Sequence, residues 1–289
     1  MRLLVSADDF GLSHECNLGV DYCMRNGFVQ TAQIVVNTQY TQEAIELAQK
    51  GGYVDKVGLH INLVSGQSLS SPITSIGDYY DRSNDCFKDI SKWSYKKVFG
   101  NKFVSELREE IDAQMKLFHT FFSPGMLSAH HDVMFHRPIL KAIKPLLNQY
   151  GFLIIRGIEP YLFDLSGRYS RLVSLKYYPF KYYYLKCFKL KNIDNCEVIQ
   201  GGRHITHFIM DYNLMETDNP GKMKQDGCYE LIIHPYYDGN QYYDKTNFSK
   251  QGGYLRDTID LISSIEKVSL RELMTNNYLS GQNNIKFNI

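Results

Sequence analysis

Short apolar runs rich in β-branched residues alternate with helix-like segments along most of this 289-residue chain. The runs have the length of strands. In the clearest of the intervening segments, Leu107, Ile111 and Met115 recur at helical spacing. This alternation predicts a parallel sheet, because a helix is the usual connection between neighbouring parallel strands.

The predicted elements cover most of the chain. Strands are predicted at residues 2–7, 31–37, 57–63, 127–133, 152–156, 206–210 and 229–234. Helices are predicted at residues 14–26, 41–50, 103–121, 138–150 and 255–265. About six or seven strand–helix units in a chain of this length favour a closed (β/α) barrel over an open sheet. No linker or internal repeat divides the sequence, so we expect a single α/β domain over residues 1–289.

Two segments interrupt this rhythm: a Ser/Asp-rich region at 68–95 and a Tyr/Lys-rich insert at 161–195. The insert has three interpretations. The first is an amphipathic helix that packs on the barrel or on a second subunit. The second is an aromatic platform for sugars at the barrel mouth, and the third is a helix on a membrane surface. Pro179 interrupts any continuous helix and weakens the third. We expect the insert to border the mouth or a subunit interface, and a homodimer stays open.

Composition narrows the class of protein. The net charge is +1, which gives no indication of a nucleic-acid partner. The six cysteines form no CxxC pair, and reduced cysteines are the default of a cytoplasmic protein. The apolar run at the start of the chain is too short for a secretion signal, and no run has the length of a membrane span. We therefore expect a cytoplasmic location without a membrane span.

Polar residues break the apolar pattern where the predicted strands carry their carboxyl ends. They are Asp8, Asp9, His60, His130, His131, Asp132, Arg156 and His234. In a (β/α) barrel this is the face on which active sites lie. We therefore expect two carboxylates and several imidazoles to share one mouth.

Each of these residues also has a purely structural explanation. An Asp pair after a strand often caps the next helix, and a lone histidine such as His60 is more often a hydrogen-bonded core residue than a ligand. His234 precedes Pro235, and in this interpretation it marks only the end of a strand. Of the adjacent His130 and His131, only one should point inward, since neighbours on a strand face opposite sides. The set is more persuasive than its members, because unrelated accidents would not all fall at strand ends.

Such a set suits the hydrolysis of an amide. One carboxylate and two neutral imidazoles can hold a divalent ion with positions left open for water. The ion lowers the pKa of its water and polarises the carbonyl group. A second carboxylate takes the proton from the water, and a histidine on the opposite rim can protonate the leaving amine.

Several segments resemble one family in order along the chain. The opening SADDFGLSHECNLGV resembles the ADDFGLS signature of the YdjC-like carbohydrate deacetylases, also called chitooligosaccharide deacetylases. Further matches are VNT, GLHINLVSG, EEIDAQMKLFHTFFSPGMLSAHHDV, ELIIHPYYD and the closing YLRDTIDLISS…VSLRELM. The resemblance implies a seven-stranded (β/α) barrel like that of polysaccharide deacetylases. It also implies hydrolysis of N-acetyl groups on short amino-sugar oligomers with one divalent ion, zinc or magnesium.

The resemblance also implies roles for individual residues. Asp9, His60 and His130 match the metal ligands of the family, Asp8 the general base and His234 the general acid. Arg156 stands where similar proteins carry an arginine, and it either orients Asp8 or contacts the substrate. Substrate contacts are expected from Asn62, Asp132 and Tyr236.

The chain departs from the family pattern near the expected substrate site. Where the family reads SHxHxH, this chain reads AHHDVM, which places Asp132 at the second histidine. Tyr236 stands where the family has a glycine. These changes affect the identity of the N-acetylated sugar more than the type of reaction. Two alternatives stay open: a non-catalytic carbohydrate-binding protein on the same fold, and a metallohydrolase of another ester or amide bond.

Overall fold

A computed structural model of the chain describes most of the sheet and the helices that surround it. The described residues are 2–71, 73, 80–88, 100–152, 154–160, 197–199, 203–209, 228–245, 253–263 and 266–274. The strands are β1 (Arg2–Phe10), β2 (Thr31–Ile34), β3 (Val57–Ile61), β4 (Tyr80–Asp81), β5 (Cys86–Phe87), β6 (Met126–Ala129), β7 (Ile154–Pro160), β8 (Glu197–Ile199), β9 (Arg203–Ile209), β10 (Cys228–Ile233), β11 (Pro235–Tyr237), β12 (Tyr242–Asp244), β13 (Gly253–Tyr254) and β14 (Glu266–Lys267). The helices are α1 (His14–Arg25), α2 (Thr41–Gly51), α3 (Asn101–Phe121), α4 (Arg137–Tyr150), α5 (Leu255–Ile262) and α6 (Leu270–Met274), with 3-10 turns at Val54–Lys56 and His130–Phe135.

The main sheet is parallel and curled. Its strands pair in the order β10-β1-β2-β3-β6-β7-β9, each parallel to the next, and β10 also pairs with β9. The short β8 is antiparallel to β9, and β14 lies parallel to the start of β1. The predicted α/β domain built on a parallel sheet is thereby confirmed, and the carboxyl ends of its strands meet at one edge.

Some predicted boundaries were wrong. The strand predicted at 31–37 ends at Ile34, and the one predicted at 127–133 ends at Ala129. The second correction has a backbone cause. His131 and Asp132 each have a φ of 53°, so the chain leaves the extended conformation and forms a 3-10 turn. The Tyr/Lys-rich insert at 161–195 lies outside the described residues.

The two faces of the curled sheet differ in polarity because side chains alternate along each strand. On β1, Leu3, Val5 and Ala7 join the apolar core beneath the helices. Ser6 and Asp8 lie on the other face, where both contact Arg156. The inner face is thus buried and polar, with further members at Thr31, Gln33, His60, Ser128 and Glu230.

The helices seal the outer face of the sheet. Helix α3 buries the apolar stripe predicted from its sequence, and it also buries Glu110 and Gln114. Glu110 accepts hydrogen bonds from Ser68 and Ser70, which ties the loop after β3 to this helix. No helix within the described ranges is both long and apolar enough to cross a membrane.

Candidate active site

Asp9, His60 and His130 meet at the carboxyl edge of the sheet. One ligand-type atom from each lies within 4.8 Å of the other two. The Nδ1 atom of His130 is 2.8 Å from Asp9 Oδ1, and the Nε2 atom of His60 is 3.6 Å from the same oxygen. His131 is exposed, and its ring stacks on that of His130. The three residues thus come together as the sequence predicted, with His130 inside and His131 outside.

The backbone explains why Asp9 reaches this point. Its φ of 66° places it in the left-handed region, and the register of β1 against β2 shifts between Ala7 and Phe10. Gly11 follows with a φ of 86°, and a Cβ there would lie 2.4 Å from the carbonyl oxygen of Val35. The strand therefore bends at Asp9, which turns its carboxylate away from that of Asp8.

The surroundings of Asp9 fit a cation. Among the described residues, Asp9 Oδ1 is buried without a hydrogen-bond partner, because His130 Nδ1 is close but not aligned to donate. The separation of 3.6 Å from His60 Nε2 is too long for a hydrogen bond. A buried carboxylate oxygen that faces two imidazole nitrogens offers the ligand set of a zinc site with open positions.

The ionisation of these groups follows from burial and mutual charge. Burial disfavours the charged form of Asp9, but the positive charge of the adjacent His130 outweighs burial and holds the pKa of Asp9 well below its usual range. Burial lowers the pKa of His60 to about 3 against the attraction of Asp8 and Asp9, so its ring is neutral. Burial also opposes the charging of His130, but the adjacent Asp9 raises the pKa of that imidazole.

Asp8 lies beside this cluster in a fully paired environment. Arg156 donates from Nη1 to Asp8 Oδ2 at 2.7 Å and from Nη2 to Asp8 Oδ1 at 2.8 Å. The same guanidinium donates to Glu230 Oε1 at 2.6 Å, and all three side chains are buried. Asp8 Oδ2 is 3.7 Å from His60 Nε2. Although burial raises the pKa of Asp8, the charge of Arg156 outweighs burial and lowers that pKa, so Asp8 is an oriented carboxylate at the edge of the cluster.

His234 and Asp132 lie at the same mouth. His234 follows β10, and its backbone N–H donates to Asp244 Oδ1 at 2.9 Å. Within the described part of the chain, the Nδ1 atom of His234 is buried without a hydrogen bond. Burial raises the pKa of Asp132 to about 6, with the neighbouring charge of Asp8 adding to burial and that of Arg156 opposing it. The charge of His234 also acts on Asp8, so His234 and Asp132 belong to one electrostatic cluster with Asp8.

Two expected substrate contacts have different surroundings. Asn62 is fully buried, and its side chain bonds to Asn37, Val64 and Ser65. A direct sugar contact would require Asn62 to give up these bonds. Tyr236 is half-buried, and the ammonium of Lys245 lies over its ring.

The family follows from a comparison with known proteins. Residues 2–270 match the family model described as YdjC-like protein. The chain belongs to the YdjC-like family. The carboxyl edge of the sheet in this YdjC-like protein carries the Asp8–Asp9 pair, the GLHIN segment and the HP segment.

Curated relatives match about half of this chain. A carbohydrate deacetylase of Clostridium beijerinckii is 27% identical over 152 residues, which is 52% of this chain and 58% of the relative. A chitooligosaccharide deacetylase of Proteus mirabilis is 32% identical over 152 residues, 52% of this chain and 54% of the relative. A carbohydrate deacetylase of Halalkalibacterium halodurans is 30% identical over 160 residues, 55% and 65% of the two chains. The matched stretch therefore spans little more than half of most of these relatives.

A solved structure shares the fold over most of the YdjC-like chain. It is a protein of Enterococcus faecalis V583 named for cellobiose-phosphate cleavage. The TM-score is 0.61 at 17% identity, with 94% of this chain and 98% of that chain covered. At this identity the likeness supports the architecture alone.

Sequence reasoning missed part of the polar interior of this YdjC-like protein. Glu230 completes the ion network of Arg156, and a signal for it was present as one acidic residue inside the apolar run YELIIH. Gln33 and Ser128 contact each other on the inner face, but single polar residues in strands are common enough to go unnoticed. A rule that inspects each polar residue inside a buried run would have found all three.

Proposed function

We propose that this chain is a metal-dependent carbohydrate N-deacetylase that hydrolyses the N-acetyl group of an amino sugar or short N-acetylated oligosaccharide. The observation that carries the proposal is the convergence of Asp9, His60 and His130 beside the Asp8–Arg156 pair. The names of the curated relatives, carbohydrate deacetylase and chitooligosaccharide deacetylase, support the same reaction.

Asp9, His60 and His130 would hold one divalent ion, zinc or magnesium. When bound, the ion supplies a Lewis acid for the amide carbonyl and lowers the pKa of water. The unpartnered Asp9 Oδ1 and the neutral ring of His60 fit this role. A neutral imidazole offers a lone pair, and an ionised carboxylate offsets the charge of the cation.

The remaining residues supply proton transfer. Asp8 accepts a proton from the attacking water, and Arg156 holds the Asp8 carboxylate in place. The water oxygen forms a bond to the acetyl carbon, and the carbon–nitrogen bond breaks. His234 donates a proton to the amine nitrogen as it leaves, so that acetate and a free amino sugar result. Asp132 and Tyr236 line the substrate side, while Asn62 supports the loop after β3.

We also propose that the curled sheet is a seven-stranded (β/α) barrel. Its support is the pairing of β10 with both β9 and β1, which joins the last strand of the order to the first. In such a barrel, the five residues proposed for metal binding and proton transfer all lie on the face where (β/α) barrels carry active sites.

The proposal is tested by acetate release from a panel of N-acetylated sugars. The protein is first treated with a chelator and then supplied with zinc or magnesium. We expect release only after metal is added, and no release from an Asp9→Asn variant under the same conditions. O-acetylated sugars in the panel test the ester alternative. Sugar binding without acetate release from any substrate would favour the non-catalytic alternative and contradict the proposal.

A further inference from the structure

A chain of hydrogen bonds runs behind His60, on the side of its ring away from Asp9. The Nδ1 atom of His60 is 2.7 Å from Ser128 Oγ, and Ser128 Oγ is 3.1 Å from Gln33 Oε1. Gln33 Nε2 donates to Thr31 Oγ1 at 3.0 Å, and Thr31 Oγ1 donates to the backbone carbonyl of Lys56 at 2.8 Å. The side chains of Thr31, Gln33, His60 and Ser128 are all buried. We call this series of bonds the His60 relay.

The carbonyl of Lys56 fixes the direction of every bond in the His60 relay, because a carbonyl can only accept. The hydroxyl of Thr31 gives its proton to that carbonyl and must accept from the Gln33 amide nitrogen. The Gln33 amide oxygen then faces Ser128. Gln33 Oε1 is the nearer acceptor of Ser128 Oγ, since the carbonyl oxygen of Leu59 lies at 3.5 Å, where a hydrogen bond is weak.

This direction determines which ring nitrogen of His60 carries the proton. Gln33 Oε1 can only accept, so the single hydroxyl proton of Ser128 goes to that oxygen, and Ser128 Oγ in turn accepts a proton from His60 Nδ1. The Nε2 atom is then left with its lone pair. That lone pair lies 3.6 Å from Asp9 Oδ1 and 3.7 Å from Asp8 Oδ2.

Without the His60 relay, the two carboxylates would favour the opposite arrangement. A proton on Nε2 would be attracted by both Asp8 and Asp9, whereas a lone pair facing them is repelled. An imidazole with its proton on Nε2 cannot bind a cation through that atom. The His60 relay therefore stabilises the one tautomer that presents a ligand to the cluster.

Gly58 provides independent support, because its lack of a side chain makes room for the His60 relay. A Cβ at this position would lie 2.6 Å from Gln33 Oε1, 2.9 Å from Gln33 Nε2 and 2.7 Å from the carbonyl oxygen of Met126. Gly58 and Gln33 are directly paired in the register of β2 and β3, as are His60 and Ser128 in that of β3 and β6. The amide of Gln33 thus occupies space that any other residue at 58 would fill.

We propose that Ser128 and Gln33 are positioning residues that set the tautomer of His60 and thereby strengthen metal binding. This inference rests on the proposed function, in which His60 is a metal ligand. Groups that hold a metal-binding histidine from behind typically contribute 10–100-fold in metal affinity, so an effect of about that size is expected here.

The first test reads the tautomer directly. Long-range proton–nitrogen NMR spectra of the metal-free protein should show His60 protonated on Nδ1 in the wild type. In Ser128→Ala the proton should move to Nε2. Because no metal is present, this measurement decides the inference even if the protein binds no metal and the proposed function fails.

The second test measures affinity for zinc by competition with a chromophoric chelator. Ser128→Ala and Gln33→Met should each bind zinc about 10–100-fold more weakly than the wild type. Because Gln33 acts through Ser128, the double variant should be no weaker than Ser128→Ala alone. Tyr150→Phe is the matched control, since it also removes one hydroxyl hydrogen bond, to Asp112, between α3 and α4. Its zinc affinity should equal that of the wild type.

Two results would overturn the inference. One is a wild-type spectrum with the proton of His60 on Nε2. The other is a wild-type zinc affinity in folded Ser128→Ala or Gln33→Met, with folding checked by circular dichroism. If Ser128→Ala fails to fold, Gln33→Met carries the test, because methionine keeps the length of the side chain and leaves Ser128 in place.

Discussion

The two adjacent aspartates at the end of β1 have opposite surroundings. Asp8 makes two hydrogen bonds to Arg156, which is itself held by Glu230, so every charge in this cluster has a partner. Asp9 faces His60 and His130 with a buried oxygen that accepts no aligned hydrogen bond among the described residues. We call the first group the paired cluster (Asp8, Arg156, Glu230) and the second the open cluster (Asp9, His60, His130).

The difference shows how one strand end can serve two purposes. A paired carboxylate is ionised and held in one orientation, so it can accept a proton from a set direction, although its lowered pKa makes it a weak base. A carboxylate that faces imidazole nitrogens is complete only when a cation joins it. The left-handed backbone at Asp9 makes this division of labour possible, since it separates two neighbouring side chains.

The largest expected effect comes from the open cluster. Asp9→Asn should lose both metal and turnover, because an amide contributes no negative charge to hold a divalent ion. The rate should fall by more than the ~10²–10⁴-fold typical of a missing general base, since the Lewis acid and the activated water are lost together. Elemental analysis beside acetate release measures both properties on the same sample.

The matching change in the paired cluster should separate the two properties. Asp8→Asn should keep its metal and lose about 10²–10⁴-fold in rate, because asparagine has nearly the same shape but cannot accept a proton. His234→Ala should likewise retain metal, and substrates with poor leaving groups should suffer most. If Asp8→Asn loses its metal while Asp9→Asn keeps it, the roles of the two aspartates are reversed.

Stability should respond in the reverse order. Arg156→Met leaves the carboxylates of Asp8 and Glu230 buried without their cation, and the free energy of unfolding should fall by about 3–5 kcal/mol. Asp9→Asn should cost less in the metal-free protein, because Asp9 Oδ1 makes no aligned hydrogen bond. Urea unfolding of both variants without metal provides the comparison. An equal loss in the two variants would show that the paired cluster is not the more strongly coupled of the two.

The residues of the open cluster could be predicted from the sequence, whereas Gln33 and Ser128, which hold His60 in place, could not. Asp9, His60 and His130 interrupt apolar runs at strand ends, and a parallel sheet brings those ends together. The prediction that only one of the two adjacent histidines points inward selected His130 correctly, but its reason was incomplete. Alternation along a strand selects one of two histidines, but here a turn with positive φ at His131 separates them.

Gln33 and Ser128 could not be predicted as partners of His60, because their positions depend on the register between neighbouring strands. Nothing in TAQIVV or MLSAH reveals that Gln33 and Ser128 will lie one strand apart from His60, since that follows from which residues pair across β2, β3 and β6. Asn62 illustrates the same limit. Its place in the GLHIN segment suggested a substrate contact, but in the structure its side-chain oxygen accepts hydrogen bonds from Val64 and Ser65 in the loop after β3.

The smallest expected effect concerns pH and separates the two histidines of the open cluster. Burial lowers the pKa of His60 from 6.5 to about 3 in the folded chain. Asp132, whose pKa burial raises to about 6, acts in the opposite direction between about pH 4 and pH 6, so the comparison of variants isolates His60. Between pH 6.5 and about pH 3 the unfolded chain binds a proton at His60 that the folded chain does not, so the contribution of His60 to the unfolding free energy of the metal-free protein falls as the pH is lowered. The slope is at most about 1.4 kcal/mol per pH unit.

His130 should not contribute to that slope between about pH 4 and pH 6. Asp9 raises its pKa against the effect of burial, so His130 is protonated in both states there, and the stability it adds is lost only as the pH rises through its folded pKa. His60→Gln should therefore remove the contribution of His60 between pH 6 and pH 4, whereas His130→Gln should retain it. Urea unfolding at several pH values measures both variants. Parallel profiles for the wild type and His60→Gln would show that His60 does not stay neutral in the folded protein, and its place as a neutral ligand of the open cluster would be lost.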